Sequence, residues 1–408
     1  MEFKHKTLDN GLTIIGEVNP KAQSASVGFF VRSGSRDESP AISGVSHFLE
    51  HMMFKGTDTL TALEVNETFD RLGAKFNAFT SEENTVYYAA VLPEYLEQVS
   101  DLWMQLMRPS LRDDDFEMEK NVILEEIAMY KDLPHFEVMD EGKTLHFGQH
   151  PCGNSVLGSN ASIAALSAVQ MRDYFDLRYA PDNMTLACCG NFDFDNLCRL
   201  ADKKCSSWKP TKAPRSRSSF MGTFAKKSVP NPNLARQHLC LLNPTVSMQD
   251  SRRYAASLLS TIIGDSTGSR YHWALVDPAL AELAVMQCDS MDGAGVYYSY
   301  ICCDPVNTEK VLELLNSIYL DIKNNGVSQN ELQTARNKVL SAMTLKCEQP
   351  MGRLVNLGFN WVYNTEYQSM SQEVEQVKSV SLEDISRLIE EFALDKYTLF
   401  SLGPKEIS

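Results

Sequence analysis

At 408 residues the chain exceeds what one hydrophobic core organises and fits about two domains of roughly 200 residues each. Its 43% apolar and 22% charged residues are ordinary for a soluble globular protein, and no apolar run approaches the ~18 residues of a membrane span. A formal charge of −15 argues against nucleic acid as a partner and favours basic or neutral peptides, although an acidic surface also serves solubility.

The opening MEFKHKTLDNGL is charged and strand-like and lacks the apolar core and small-residue cleavage site of a secretory signal, which gives the expectation of a cytoplasmic chain. Residues 1–32 hold the alternating runs LTIIGEV and SASVGFFVRSG, with Asn10-Gly11 as a turn signal, and predict two strands of one sheet. Helical spacing follows Pro40, predicting helices over Ile42–Phe54 and Leu63–Leu72. FNAFTSEENTVYYAAVL then reads as a hairpin, with aromatic and β-branched residues flanking a polar turn. A long helical stretch follows, from Pro93 to Met107 and from Asp113 to Tyr130. Lys209 to Asn233 is rich in Pro, Ser and basic residues without an apolar period and reads as the connection between halves. The predicted division is therefore 1–212, a linker over 213–232, and 233–408.

Beyond the linker the order of elements repeats: a strand in HLCLLNP, a helix in DSRRYAASLLSTIIG and a later helix in QNELQTARNKVLSAMTL. Laying Gly56 on Gly264 places His47, Glu50 and His51 over Ala255, Leu258 and Leu259. Laying EKNVILEE over ARNKVLSA places Glu119 over Ala335 and Glu126 over Ala342. A first half that keeps chemistry and a second that keeps only shape is the expectation. The ten cysteines are scattered, with adjacent pairs at Cys188-Cys189 and Cys302-Cys303 and no CxxC, and read as buried reduced thiols.

The run His47-Phe48-Leu49-Glu50-His51 carries the chemistry. On a helix His47 and His51 stand at i and i+4, projecting both imidazoles from one face, as two ligands of a tetrahedral metal require. Glu50 shares that face and can accept a proton from a metal-bound water. Roughly one chain of this length in a hundred carries HxxEH by chance, so a third ligand is an independent requirement. The acidic run at 124–127 supplies one in Glu125 or Glu126. Glu119 lies two turns before Glu126 and can hold a ligand imidazole from behind.

HFLEHMMFKGT, the FNAFTSEENTVYY hairpin and EKNVILEEIAMYKD together resemble the pitrilysin family of inverted-zinc peptidases, which includes mitochondrial processing peptidase and insulin-degrading enzyme. YAPDNMTLACCGNFD at 179–193 is similar to the strand after that family's crossover. The resemblance implies an α+β fold of two similar halves, each a β-sheet covered by helices on one side. It implies one Zn2+ per chain on His47, His51 and Glu126, Glu50 as the catalytic base, Glu119 behind a ligand, and Asn77, Ala78 and Phe79 as the edge strand that holds substrate. The implied activity is endopeptidase cleavage of short or unfolded peptides inside a clamshell dimer.

Members of that family carry an Arg and a Tyr some residues after a Ser-Arg pair in the second half. Here Ser269-Arg270 is followed by YHWALVDPALAELAVMQ, without a further Arg, and the usual Tyr position falls near Glu282 or Leu283. Either Tyr271, Arg270, Arg252 or Arg253 substitutes, or a partner chain does, or turnover is weak. The implied assembly is a homodimer, or a heterodimer with a metal-free homologue that supplies the missing groups. A non-catalytic structural subunit and a metal-binding module without hydrolysis are the rival readings.

Overall fold

The structure, a computed structural model, describes residues 1–407. The alternating apolar runs become strands: β1 (Glu2–Thr7), β2 (Thr13–Val18), β3 (Ala25–Val31), β4 (Lys75–Thr80), β5 (Thr85–Val91), β6 (Met184–Gly190), β7 (Lys226–Pro230), β8 (Gln237–Pro244), β9 (Ala281–Ser290), β10 (Gly295–Cys303) and β11 (Thr398–Gly403). They form a six-stranded sheet in the order β1-β2-β6-β3-β5-β4 and a five-stranded sheet in the order β7-β11-β8-β10-β9.

The two sheets share one plan. In the first, β2 runs parallel to β6, and β6, β3, β5 and β4 follow in antiparallel succession. In the second, β7 runs parallel to β11, and β11, β8, β10 and β9 follow in antiparallel succession. β1 is an extra strand on the outer edge of the first sheet. The helices also correspond: Val45–Met53 and Arg253–Gly264 each begin two residues before the aligned His47 and Ala255. Asp113–Lys131 and Gln329–Cys347 are both 19 residues long and begin six residues before Glu119 and Ala335.

Two compact units result, and neither is continuous in sequence. The first contains Met1–Ile127, Asn154–Ser216 and Leu345–Gln368; the second contains Ala128–Gly153, Arg217–Thr344 and the described residues from Ser369 onward. The chain leaves the first unit at Ser216, inside the segment read as a linker, but that segment is not featureless. Arg215 is held by Asp37 and the Glu83 carbonyl, Arg217 Nε lies 2.7 Å from Asp292 Oδ1, and β7 forms within it.

The main core of the first unit lies between one face of its sheet and helices that include Val45–Met53 and Leu96–Leu106, with Phe48, Phe69, Trp103 and Phe116 fully buried. Each sheet is covered by helices as expected, and each also carries a further helix on its other face. Pro350–Asn364 packs on β3 and β6, burying Leu354 and Leu357 against Phe30, Ala187 and Cys189. Pro134–Phe147 packs in the same way on β8 and β11 of the second unit. The physical reason is visible in β3 and β6, all of whose residues are buried, as strands covered on both faces must be. Arg353 on the first of these helices donates to Glu17 at 2.7 and 2.9 Å, a buried pair that fixes the helix on β2.

Candidate metal centre

The Val45–Met53 helix owes its position to its N-terminus. Gly44 adopts φ +92, and a Cβ there would stand 2.6 Å from the Leu157 carbonyl, so glycine is required twice over. The buried Glu38 carboxylate accepts from the Gly44 and Ser46 N–H groups, each at 2.7 Å, supplying the cap that no N-cap side chain provides. Burial pushes the Glu38 carboxyl up to about 7, against the lowering effect of those two hydrogen bonds. Phe48 stacks on Phe116 at 4.8 Å and 9°, locking this helix to Asp113–Lys131.

That contact brings the predicted ligands together. His47 Nε2 lies 3.7 Å and His51 Nε2 3.5 Å from Glu126 Oε2, and the three groups are the one cluster of metal-ligating character among the described residues. Ligand atoms on a tetrahedral zinc with bonds of 2.0–2.1 Å stand roughly 3.3 Å apart, so the spacing suits a shared ion. Glu126 Oε2 is buried with no hydrogen-bond partner, a costly state for a carboxylate oxygen unless a cation meets it. Glu125, the alternative from the sequence, is exposed.

Charge around the cluster is set by burial and by a chain of carboxylates. Burial, helped by the neighbouring His51, pushes the His47 imidazole down to about 3, which leaves it neutral and able to ligate. His51 behaves oppositely. Burial lowers its basicity, but the hydrogen bond that Glu119 accepts from it and the charges of Glu126, Glu119 and Glu50 outweigh this and raise it. Glu119, 4% exposed, places Oε1 2.8 Å from His51 Nδ1 and pairs through Oε2 with Lys55. Burial raises the Glu119 carboxyl, yet its bonds with His51 and Lys55 prevail and hold it below the usual range. Glu50 is raised by burial, partly offset by the Thr80 hydroxyl, which donates to its Oε2 at 2.6 Å.

Asn77, Ala78 and Phe79 lie on β4, the outer strand, paired with Tyr88, Tyr87 and Val86 of β5. The Ala78 N–H donates to Asn77 Oδ1 at 2.9 Å.

The second-half residues have other employment. Tyr271 is 0% exposed, and its hydroxyl is shared with Ser299 at 2.9 Å and Tyr319 at 2.5 Å in the core of the second unit. Arg270 is spent on Glu331, Asp321 and the Gly326 carbonyl, and Arg252 on Asp250 and Glu391. Arg253 lies over the Tyr254 ring. None of these is presented as a free donor. Sequence reasoning missed three groups around the histidines: Glu38, Lys55 and Thr80. Lys55 had a signal, since it stands at i+4 from His51 within the same motif. Glu38 and Thr80 had none that local spacing reveals. All ten cysteines are unpaired thiols, and no helix among the described residues is long and apolar enough to cross a membrane.

A family model described as Insulinase (Peptidase family M16) matches residues 13–160, and one described as Peptidase M16 inactive domain matches residues 165–339. The Bacillus subtilis (strain 168) protein "Uncharacterized zinc protease YmxG" is 29% identical over 404 residues, covering 98% of each chain. A Mycobacterium leprae protein bearing the same zinc protease description is also 29% identical, over 98% of this chain and 91% of its own. Among solved structures, a protease from Helicobacter pylori superposes with a TM-score of 0.91 at 20% identity, covering 99% of both chains. A peptidase M16 inactive domain from Pseudomonas fluorescens superposes at 0.89 and 18% identity, over 100% of this chain and 99% of its own.

Proposed function

The chain belongs to the M16, or pitrilysin, family of peptidases, and from that premise we propose that it is a zinc-dependent endopeptidase acting on short or unfolded peptides. The observation that carries this reading is the convergence of His47, His51 and the buried, unpartnered Glu126 Oε2 on one point, with Glu50 on the same helix. His47, His51 and Glu126 would hold the ion. Zinc bound there supplies Lewis acidity, which makes a water acidic enough to lose its proton near neutral pH.

The chain's own residues do the rest. Glu50 accepts that proton at its carboxylate and returns it to the leaving amine, a role served by a carboxyl raised through burial. Glu119 holds His51 by Nδ1, directing Nε2 toward the cluster. Asn77, Ala78 and Phe79 offer an open strand edge where a peptide adds through main-chain hydrogen bonds, so selection rests on extended conformation more than on side chains. The ten free thiols support placing the protein in a reducing compartment such as the cytoplasm.

A homodimer follows from the family resemblance. A second reading, in which a metal-free homologous chain completes the site, is favoured by one observation: Arg270 and Arg252 are committed to carboxylates and Tyr271 to the core. The test is Glu50→Gln assayed with a fluorogenic peptide beside metal analysis and sedimentation of the single chain. The expected result is about a 10²–10⁴-fold loss of turnover with zinc content retained. Equal turnover in both proteins would remove the hydrolytic reading, and a zinc-loaded but inactive wild type would leave the partner-dependent one.

A further inference from the structure

Thr80 ends β4, immediately after the Asn77–Phe79 edge, and sits opposite Thr85 at the close of the hairpin. Its hydroxyl has one proton and two acceptors within reach. Glu50 Oε2 is at 2.6 Å and Thr85 Oγ1 at 3.5 Å, so the proton belongs to Glu50. Thr85 cannot reverse this arrangement, because its own hydroxyl is donated to the Ser33 carbonyl at 2.8 Å. Among the described residues, Thr80 makes the only hydrogen bond to the Glu50 carboxylate, and it engages one oxygen alone. A β-branched residue in a strand has little χ1 freedom, which makes it a rigid holder.

We infer that Thr80 is a positioning residue for Glu50: it pins Oε2 and leaves Oε1 as the oxygen that exchanges the proton. Because Thr80 closes the strand whose edge would receive the peptide, it also ties the seating of substrate to the orientation of the base. The inference rests on the reading of Glu50 as proton acceptor given above.

The experiment compares zinc-loaded full-length wild type, Thr80→Val, Thr80→Ser, Glu50→Gln and the Thr80→Val/Glu50→Gln double variant, measuring kcat, KM and bound metal. Valine keeps the shape and strand preference of threonine and removes only the donor. Thr80→Val is expected to lower kcat about 10- to 100-fold, the scale of a small misplacement of a reacting group, with KM and zinc content held. Serine should restore most of the rate, and the double variant should fall no further than Glu50→Gln alone. An active wild type whose Thr80→Val variant keeps its kcat would overturn the inference and spare the base assignment. Loss of zinc together with kcat would overturn it as well, by making Thr80 a support of the metal cluster. A zinc-loaded wild type without peptidase activity, alone or with partner, would remove the assignment of Glu50 and this inference with it.

Discussion

His51 Nδ1 and Glu119 Oε1 stand 2.8 Å apart, with Lys55 on the other oxygen of the same carboxylate. His51 and Glu119, each on its own helix, and Lys55, in the turn after the first, thus form a chain in which an ammonium keeps a carboxylate ionised and the carboxylate fixes an imidazole. With Nδ1 held there, Nε2 faces Glu126 Oε2 at 3.5 Å. Glu119→Gln preserves shape and can still accept from His51, but it removes the charge and strands Lys55. Zinc affinity is expected to fall about 10- to 100-fold, the usual cost of losing a partner behind a metal ligand. Competition against a chromophoric chelator measures this directly, and wild-type affinity in the variant would refute the role given to Glu119.

Glu38 makes stability depend on pH. Its carboxyl is raised from 4.5 to about 7, because burial penalises the charged form more than the Gly44 and Ser46 N–H groups reward it. A group whose folded pKa exceeds its unfolded value contributes fully below the unfolded pKa, and that contribution is lost as pH rises through the folded one. Between about pH 4.5 and 7 the Glu38 contribution should therefore decline, by at most roughly 3 kcal/mol. Urea unfolding of wild type and Glu38→Gln across that range isolates the effect. The wild type should lose stability relative to the variant as pH rises, and a flat difference would contradict it.

The juxtaposition of His47, His51 and Glu126 was legible in the sequence because its spacing is local: His47 and His51 share a helix face by periodicity, and Glu119 and Glu126 share another. The hairpin carrying Asn77 was legible for the same reason, through alternation and a polar turn. The register of the degenerate half was legible too, since Ala255, Leu258 and Leu259 do fall on the buried face of their helix. What escaped depends on contacts distant in sequence. Pro134–Phe147 and Pro350–Asn364 join sheets whose strands lie far away in the chain, and no local period says which sheet a helix will cover. Thr80 escaped because a threonine ending a strand is ordinary until Glu50 is placed beside it. Glu38 escaped because its work is done on backbone N–H groups, which leave no mark on side-chain pattern.

Tyr271 separates two accounts of the second half. As a substitute for the family's missing tyrosine it would donate to substrate, and removing its hydroxyl would slow turnover by about 10²–10³-fold, as loss of one oxyanion donor does. In the structure that hydroxyl instead joins Ser299 and Tyr319 in a fully buried trio, beneath a side chain with no exposure. Tyr271→Phe should then leave kcat and KM unchanged and cost about 1–2 kcal/mol of stability, because Ser299 and Tyr319 keep each other at 3.4 Å but lose their best partner. Paired measurement of unfolding and of peptide hydrolysis distinguishes the outcomes. A stability loss without a kinetic one assigns Tyr271 to the core and moves the search for the missing donor to another chain. A kinetic loss at unchanged stability would mean that the trio opens during turnover and that Tyr271 reaches substrate after all.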